Sequence, residues 1–559
     1  MTATTGRGQA TATSEDHKLR RHVGPVGLLF AGIGSIIGSG WLFGAYNASA
    51  LAGPAALFSW LIAAIMIMLI GLTYAELGPM FPISGGVVRY PHLVWGSFAS
   101  YSFGWITWIS SAAVPAIEVE GALQYATKYG PFTTAKTAGG ETVHTLTAWG
   151  FLLAVVLLAL FVVVNYYGVR LFAQINNALV WWKLGIILLV IVTFFVLAFT
   201  STKVGGTSNY SDYPFAAQGG HGIFLAISTA GITFSFLGFR QGIELAGESS
   251  NPKRNIPLAL IGSVLITGLI YVLLQVAFTL TVPPDALKHG WTGITFTNDF
   301  GPLAAISSIA GVTWLAYLLY ADAIISPADT GLIYTTVSSR VSYAMAKNRN
   351  APAVFGRNNQ RGVPVWGLVL TFVIGIILFL PFPSWQQLVG FITSATVISF
   401  ATGPLVLSSL RRSMPEAERP FRLWGGDLIP FIAFYSANMI VYWGGWTVNK
   451  KLFLTVLIGY VFLGAFQAFS KKEGRRPLDF RHSAPWVLPW LGGSALISWL
   501  ADPTEHPNAF NWVFLINIAF SAVIFVVAVR MRPPHDVIAQ HVREAEDESA
   551  DEEVLAGSD

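Results

Sequence analysis

Long apolar runs recur along almost the whole chain, from residue 23 to residue 531. Each run has roughly 20 residues, the length that a helix needs to cross the hydrocarbon core of a bilayer. The composition agrees, because 53% of the 559 residues are hydrophobic and 11% are charged, which excludes an ordinary soluble protein. The sequence therefore predicts an all-α polytopic membrane protein whose single membrane domain uses nearly the whole chain.

Apolar runs separated by polar or turn-rich breaks predict fourteen spanning helices. The predicted spans are 24–51, 55–79, 93–128, 146–168, 171–200, 221–248, 256–282, 302–346, 363–382, 384–411, 428–448, 452–470, 485–501 and 511–530. Lys and Arg residues concentrate in alternate loops, and positively charged loops stay in the cytoplasm. Both termini are therefore predicted to be cytoplasmic, in a multi-pass protein of the cell inner (plasma) membrane.

Residues 32–44 of the first span are rich in glycine, and Gly38 and Gly40 flank Ser39. An unwound segment is tolerated in hydrocarbon only where it is buried in protein or lines a polar cavity, so a break here is a candidate ligand site. Alternatively, the glycines allow close packing between helices. The sixth span has a similar interruption at 235–239. Matching broken helices in two halves of a chain indicate an inverted repeat, here of five helices plus five.

Several motifs resemble those of one family of membrane proteins. They are the glycine segment, YAELGPMFP at 74–82, SGG at 84–86, NPKRNIP at 251–257, SRVSYAMA at 339–346 and GVPVW at 362–366. In this order they are similar to the motifs of the amino acid-polyamine-organocation transporters, over about residues 24–470. The resemblance implies a LeuT-like fold with broken helices 1 and 6. It also implies secondary transport of an amino acid or a related amine, and no enzymatic activity.

On this basis the chain divides into four parts. Residues 1–23 are a cytoplasmic N-terminal tail, and residues 24–412 are the ten-helix LeuT-like transport core. Residues 413–531 supply four additional transmembrane helices, with a cytoplasmic basic loop at 471–483. The acidic residues 532–559 are predicted to be a disordered cytoplasmic tail, because the segment is highly charged and poor in large apolar side chains.

The two broken helices are expected to hold an amino-acid zwitterion. Free N–H groups at a helix break suit a carboxylate, and freed carbonyl groups suit an ammonium. By the resemblance, the amides of Gly38, Ser39 and Gly40 would bind the α-carboxylate. The carbonyl groups that would face the ammonium are those around Ile36, Ile37, Ile232, Phe234 and Ser235. The ring of Phe234 takes the family's gating position, although aromatic side chains in membrane helices commonly serve in packing.

Arg240 departs from the family pattern, because many relatives carry an acidic residue at this position. An arginine inside a membrane costs roughly 3 kcal/mol or more, so it normally has a partner and a role. Its planar fork binds carboxylates bidentately. We therefore hypothesise that Arg240 binds the side-chain carboxylate of an acidic substrate, aspartate before glutamate. The alternative is a structural ion pair with an intramembrane carboxylate, of which the candidates are Glu118, Glu120, Glu244 and Asp322.

Lys183, in the middle of the fifth span, is the candidate for energy coupling. Burial disfavours the charged ammonium, so a lysine here can release and regain a proton. In proton-coupled relatives a lysine at the matching position lies against the broken first helix, where sodium-coupled members of the wider fold hold an ion. The resemblance thus suggests that Lys183 links protonation to closure; the alternative is a structural lysine that reaches the membrane surface. Among the intramembrane acids, Glu118 and Asp322 are favoured as proton carriers, although they could equally balance nearby positive charge.

The sequence thus favours a proton-coupled symporter of an acidic amino acid that works by alternating access. The alternatives are an exchanger for neutral amino acids or amines and, from another class, a transporter-like membrane sensor. The sequence has no phosphate-binding loop and no clustered metal ligands, so neither a cofactor nor a metal is expected. Its basic residues are spread over loops of one membrane face, which argues against nucleic acid as a partner. The expected partners are the substrate, protons and the lipid bilayer, and the assembly is a monomer or homodimer.

Overall fold

The computed structural model describes residues 23–556, apart from 84, 139–140, 168, 247–248, 297–300, 360–361, 383, 471–475 and 506–509. The predicted N-terminal tail therefore lies outside the described residues except for Val23. The same holds for the first part of the predicted basic loop at 471–483.

Helices dominate the described chain. The first half contains α1 (Pro25–Ile36), α2 (Gly40–Ala52), α3 (Ala56–Met80), α4 (Gly86–Trp95), α5 (Ser97–Ala126), α6 (Ala148–Tyr167), α7 (Val169–Thr200), α8 (Ser208–Ser211), α9 (Gly219–Thr229), α10 (Gln241–Glu244) and α11 (Pro252–Thr281). The second half contains α12 (Pro302–Ile309), α13 (Thr313–Lys347), α14 (Val365–Leu378), α15 (Trp385–Phe400), α16 (Thr402–Ser413), α17 (Leu428–Trp443), α18 (Trp446–Phe469), α19 (Phe480–Leu500), α20 (Phe510–Arg530) and α21 (His535–Ala556). Between α5 and α6, strands β1 (Thr133–Ala138) and β2 (Glu141–Leu146) pair as an antiparallel hairpin that the sequence did not predict.

Every predicted span coincides with at least one helix. The predicted span 302–346 divides into α12 and α13, and 384–411 divides into α15 and α16. By length and composition, seven helices among the described residues can cross a membrane, or eight if the bent pair Gly219–Thr229 and Phe234–Glu244 counts as one span. The chain is therefore an integral membrane protein, and the number of fourteen crossings stays a prediction.

The first and sixth spans are both interrupted next to glycine residues. The first helix stops at Ile36 and resumes at Gly40. The sixth stops at Thr229, continues as a 3-10 turn from Phe234 to Arg240, and bends by 45°. Gly231 has a φ of 88°, which a residue with a side chain rarely adopts. This second break starts a few residues earlier than the predicted 235–239.

The two interrupted helices touch each other through backbone. At Gly238 a Cβ atom would overlap the main chain of Ser35 and Ile36, at less than 3.0 Å. Only glycine allows this approach, so the 3-10 turn of the sixth span lies directly on the end of α1. The broken segments therefore meet inside the protein, where Ser35 and Gly38 are buried.

The acidic C-terminal segment differs from the prediction of a disordered tail, because residues 535–556 form helix α21. Ile538, Val542 and Ala545 are buried, and their spacing of four and three residues places them on one face of the helix. This face packs against α4. The prediction was wrong because it weighed the overall charge of the segment above the apolar stripe in its first half.

Candidate substrate and proton site

The backbone of the first break is held by side chains from two other helices. Thr330 Oγ1 of α13 donates to the Ile37 carbonyl at 3.3 Å, and Tyr271 Oη of α11 donates to the Ile36 carbonyl at 3.3 Å. The Gly38 amide donates to the Ile36 carbonyl at 3.1 Å. The carbonyl groups of Ile36 and Ile37 therefore accept hydrogen bonds inside the protein. The Gly38 amide donates to a carbonyl of its own segment in this conformation, whereas the sequence predicted that it would bind a carboxylate.

A carboxylate does occupy the start of α2, and it belongs to Glu118 of α5. Its Oε2 accepts from the Ser39 amide at 2.7 Å, and the residue is 1% exposed. No residue that the structure describes forms a hydrogen bond with its Oε1. A Cβ atom on Gly38 would lie 2.5 Å from this oxygen, so the missing side chain of Gly38 makes the space that the carboxylate fills. The first turn of a helix favours negative charge, because its N–H groups are unpaired there.

Lys183 also contacts the broken first helix, as the resemblance implies. Its Nζ donates to the Gly34 carbonyl at 2.8 Å and to Thr330 Oγ1 at 3.1 Å. It forms an ion pair of 2.6 Å with Asp329 of α13, and both side chains are fully buried. The structure therefore places Lys183 as a bridge between α1 and α13, close to the break.

Two of the residues predicted from the sixth span lie against Gly40, the first residue of α2. Ser235 Oγ donates to the Gly231 carbonyl at 2.8 Å and lies directly against Gly40, where a Cβ atom would overlap it. Phe234 approaches the same point, 3.3 Å from the position of that Cβ. Ile232 is fully buried within the break. Both interrupted helices thus contribute to one buried region.

A narrow gap of about 10 Å³, the space of roughly one water molecule, lies between the two breaks. It is lined by residues of the first break, α5, the sixth span, α13 and α15, including Ser35, Glu118, Phe234, Thr330, Tyr334 and Thr396. Phe234 is 8% exposed, and its ring meets the Trp385 ring edge-on at 6.1 Å. Apolar walls with a few polar groups are typical of a small-molecule site.

Arg240 lies at one end of this region without a carboxylate partner. Its Nη2 donates to Ser111 Oγ of α5 at 2.6 Å, and its guanidinium stacks on the Tyr334 ring at 5.1 Å. The side chain is 1% exposed, and its Nε and Nη1 have no hydrogen-bond partner in the part of the chain that the structure describes. Among the described residues, none of the four acids considered as structural partners comes within the 4.0 Å of an ion pair with Arg240. The structural ion pair is therefore not formed in this conformation.

The two aspartates of α13 have different surroundings from those expected. Asp322 accepts from Trp182 Nε1 at 2.8 Å and from Ser326 Oγ at 2.6 Å. Asp329, two turns further along the same face, is the residue that pairs with Lys183. The spacing of α13 does not reveal which aspartate meets Lys183, because that depends on the register of α13 against α7. The role of Asp322 as a proton carrier stays a prediction.

Sequence reasoning missed Trp385, which connects the two breaks. It is the first residue of α15, and its Nε1 donates to Ser39 Oγ at 2.8 Å. Its ring also lies against Gly231, where a Cβ atom would come within 2.7 Å, and against Phe43 with ring centroids 4.9 Å apart. Its partners are hundreds of positions away in the chain, and no local sequence pattern predicts such contacts.

Taken together, the region has hydrogen-bond donors for an anion at both of its ends. At the first break an N–H group and a helix terminus hold an anion, and at the far end a guanidinium has two open N–H groups. Ser111 and Glu118 mark these ends on α5 and are seven residues apart, which is about 10 Å along a helix at roughly 1.5 Å per residue.

Comparison with known proteins identifies relatives over nearly the whole length. A sequence model described as amino acid permease matches residues 23–465. The glutamate/serine transporter AimA of Bacillus subtilis strain 168 is 36% identical over 519 residues, which is 92% of this chain and 94% of the relative. The aspartate-proton symporter of the same organism is 36% identical over 463 residues, covering 82% of this chain and 86% of the relative. The branched-chain amino acid permease BcaP, also from that organism, is 24% identical over 83% of this chain and 96% of the relative.

Proposed function

Because this chain belongs to the amino acid permease family and is an amino acid transporter rather than an enzyme, we propose that it takes up an acidic amino acid together with protons by alternating access. The observation that carries the proposal is the buried guanidinium of Arg240 with two unpartnered nitrogen atoms. The relatives also support an acidic substrate, since one is an aspartate-proton symporter and another a glutamate/serine transporter.

Arg240 is the proposed ligand of the substrate's side-chain carboxylate. A buried charge without a counter-ion is strongly unfavourable, and the stacking on Tyr334 and one hydroxyl replace only part of its hydration. A carboxylate that enters the cavity would bind the open Nε and Nη1 together, in the bidentate geometry that arginine favours. Binding would thus remove an existing penalty, which favours an acidic substrate over a neutral one.

The first break is the proposed site for the α-carboxylate and the ammonium. The Ser39 amide already holds a carboxylate oxygen in this conformation, which supports its selectivity for that group. The amide of Gly40 opens α2 beside it, and the carbonyl groups of Ile36 and Ile37 lie in the same break. Phe234 would close the cavity over the bound amino acid.

Lys183 is the proposed link between protonation and conformation. Its ammonium joins the Gly34 carbonyl of α1 to Asp329 of α13. Loss of the proton from Lys183, or its transfer to Asp329, would abolish the ion pair and loosen α1 from α13. By the resemblance to the family, this joint matches the place where sodium-coupled members of the wider fold hold an ion, so a proton would replace sodium here. Asp322 would assist by holding Trp182, the residue before Lys183.

The proposed architecture is a LeuT-like core of five plus five helices over residues 24–412, with broken helices 1 and 6. Four further helices over residues 413–531 would complete fourteen spans. Both termini would be cytoplasmic, in the cell inner membrane, and the assembly would be a monomer or homodimer in the lipid bilayer. The meeting of the two interrupted helices at Gly238 supports the core.

A binding screen with two variants tests the role of Arg240. The purified protein is heated with each amino acid, and a ligand that prefers the folded state raises the midpoint of unfolding. The wild type should respond to aspartate or glutamate. Arg240→Gln should lose this response while still responding to a neutral amino acid such as serine.

Arg240→Lys is the matched control in this screen, because it retains the charge and removes the planar fork. If Arg240 is only a structural charge, Arg240→Lys should respond to aspartate as the wild type does. An unchanged affinity of Arg240→Gln for aspartate would refute the ligand role.

One relative gives reason to keep a second candidate. The glutamate/serine transporter accepts, by its name, a neutral amino acid as well as an acidic one. The competing proposal is that this chain exchanges neutral amino acids. In that case uptake would require internal substrate and would not depend on an imposed pH gradient.

A further inference from the structure

The carboxylate of Glu118 occupies a backbone amide that a substrate would need for binding. Its Oε2 accepts the Ser39 amide at 2.7 Å, and that amide is one of the donors at the start of α2 to which a substrate α-carboxylate would bind. The carboxylate lines the cavity and is 1% exposed, with its second oxygen unpartnered. The site is built to fit it, because a side chain on Gly38 would collide with Oε1, and Trp385 fixes Ser39 through its hydroxyl.

Two carboxylates cannot use this position together. One N–H group cannot make full hydrogen bonds to both, and two negative charges a few ångströms apart repel strongly where water is excluded. We propose that Glu118 is a tethered competitor of the substrate: its carboxylate holds the Ser39 amide until it binds a proton, and the substrate's α-carboxylate then takes its place. The inference rests on the proposed transport function and specifies how one proton enters with each substrate.

The charges around Glu118 support this exchange. The ionisable groups that face it are Lys183 of α7, Asp329 and Tyr334 of α13, and Tyr271 of α11. Lys183 is paired with Asp329 at 2.6 Å, so Glu118 carries the negative charge that is not matched nearby. When Glu118 binds a proton and a substrate carboxylate replaces it, the Ser39 amide still faces one negative charge.

The step is balanced in protons. A proton from the side to which the site is open binds the Glu118 carboxylate and forms a neutral carboxylic acid, which is a weaker acceptor than the ion. The Ser39 amide then becomes available to the substrate. After the conformational change, departure of the substrate frees the amide, and Glu118 returns to it as the proton leaves to the other side.

Calorimetric titration of the purified protein with aspartate between pH 5 and pH 9 tests the proposal. If binding requires one proton, the Kd of the wild type should rise by up to about tenfold per pH unit over the alkaline range. Glu118→Gln, whose amide mimics the protonated acid, should bind with a Kd that is independent of pH. In proteoliposomes the same variant should exchange substrate but lose net uptake driven by a pH gradient.

Glu120→Gln is the matched control, because Glu120 is also buried on α5, at 2% exposed, and its carboxylate has no hydrogen-bond partner. It points about 200° away around the helix from Glu118, at about 100° per residue, so this variant should keep the wild-type slope. A wild-type slope in Glu118→Gln would overturn the proposal.

A second measurement does not depend on the folding of a variant. In weakly buffered solution at alkaline pH the wild type should take up close to one proton per substrate bound, and binding without proton uptake would also overturn the proposal. Serine serves as a second ligand, because it shares the α-carboxylate and lacks the acidic side chain. If serine shows the slope and aspartate does not bind, the acidic-substrate assignment fails and the role of Glu118 stands.

Discussion

Gly238 provides a direct test of the way in which the two broken helices meet. In Gly238→Ala the new methyl group would lie closer than 3.0 Å to main-chain atoms of both Ser35 and Ile36. Neither backbone can rotate away as a side chain would. Overpacking of this kind costs typically about 1–3 kcal/mol, and the rigid surroundings place the expected value at about 2 kcal/mol or more. If this cost destabilises the conformation that is closed over the substrate, the apparent affinity for substrate drops roughly 30-fold, since about 1.4 kcal/mol corresponds to a tenfold change in affinity.

Gly242→Ala is the matched control for this substitution. Gly242 lies one turn further along the same segment, and its Cβ would meet Leu260 and Ala259 at ordinary contact distances of 3.4 and 3.5 Å. The two variants are compared by thermal unfolding in detergent and by substrate titration. Gly242→Ala should behave nearly as the wild type does. Equal stability and affinity in the two variants would refute the reasoning, because it would mean that the broken helices do not touch at Gly238.

Three further predictions follow from other contacts. Lys183→Met leaves Asp329 buried and unpaired, so it should destabilise the fold by about 3–5 kcal/mol, and adding Asp329→Asn should restore thermal stability in part. The carboxylate of Glu76 is fully buried; Arg411 binds it through two nitrogens and the Leu423 amide binds it at 2.7 Å. Glu76→Gln removes its charge, so the unfolding midpoint of this variant should fall. Glu418→Gln, at an exposed ion pair, should change stability by at most about 1 kcal/mol. Burial and the neighbouring Arg476 lower the pKa of His92 on α4 below its usual value, so docking of α21 should be strongest above about pH 6.5 and weaken as the pH falls, because the undocked state binds more protons. Distances between spin labels on α4 and α21 measure this docking, since the chain has no cysteine of its own, and a distance that does not change down to pH 5 would contradict the prediction.

The sequence predicted most of the helices and the two breaks for physical reasons that act locally. Apolar runs of bilayer length are visible in any window, and glycine pairs such as Gly38 and Gly40 mark where a helix can unwind. Arg240 and Lys183 stand out because a charge inside an apolar run is rare. The resemblance to known transporters added the expected contact between Lys183 and the first helix, which the 2.8 Å hydrogen bond to the Gly34 carbonyl bears out.

The remaining features depend on contacts between distant parts of the chain. Asp329 rather than Asp322 meets Lys183 because of the register of α13 against α7, which no spacing within α13 reveals. Trp385 and Ser111 join the site only after folding. The docking of α21 is a different case, because Ile538, Val542 and Ala545 already show helical periodicity in the sequence. That stripe could have been detected, had the charge of the tail not dominated its interpretation.

The central claim is that this chain binds an acidic amino acid through Arg240 and couples its uptake to protons. The most direct measurement is net uptake of labelled aspartate into proteoliposomes that contain no internal substrate, with an imposed pH gradient, acidic outside. Wild-type protein should accumulate aspartate, a protonophore should abolish accumulation, and Arg240→Gln should not accumulate it. Uptake that requires internal substrate and ignores the gradient, or undiminished accumulation by Arg240→Gln, would contradict the account.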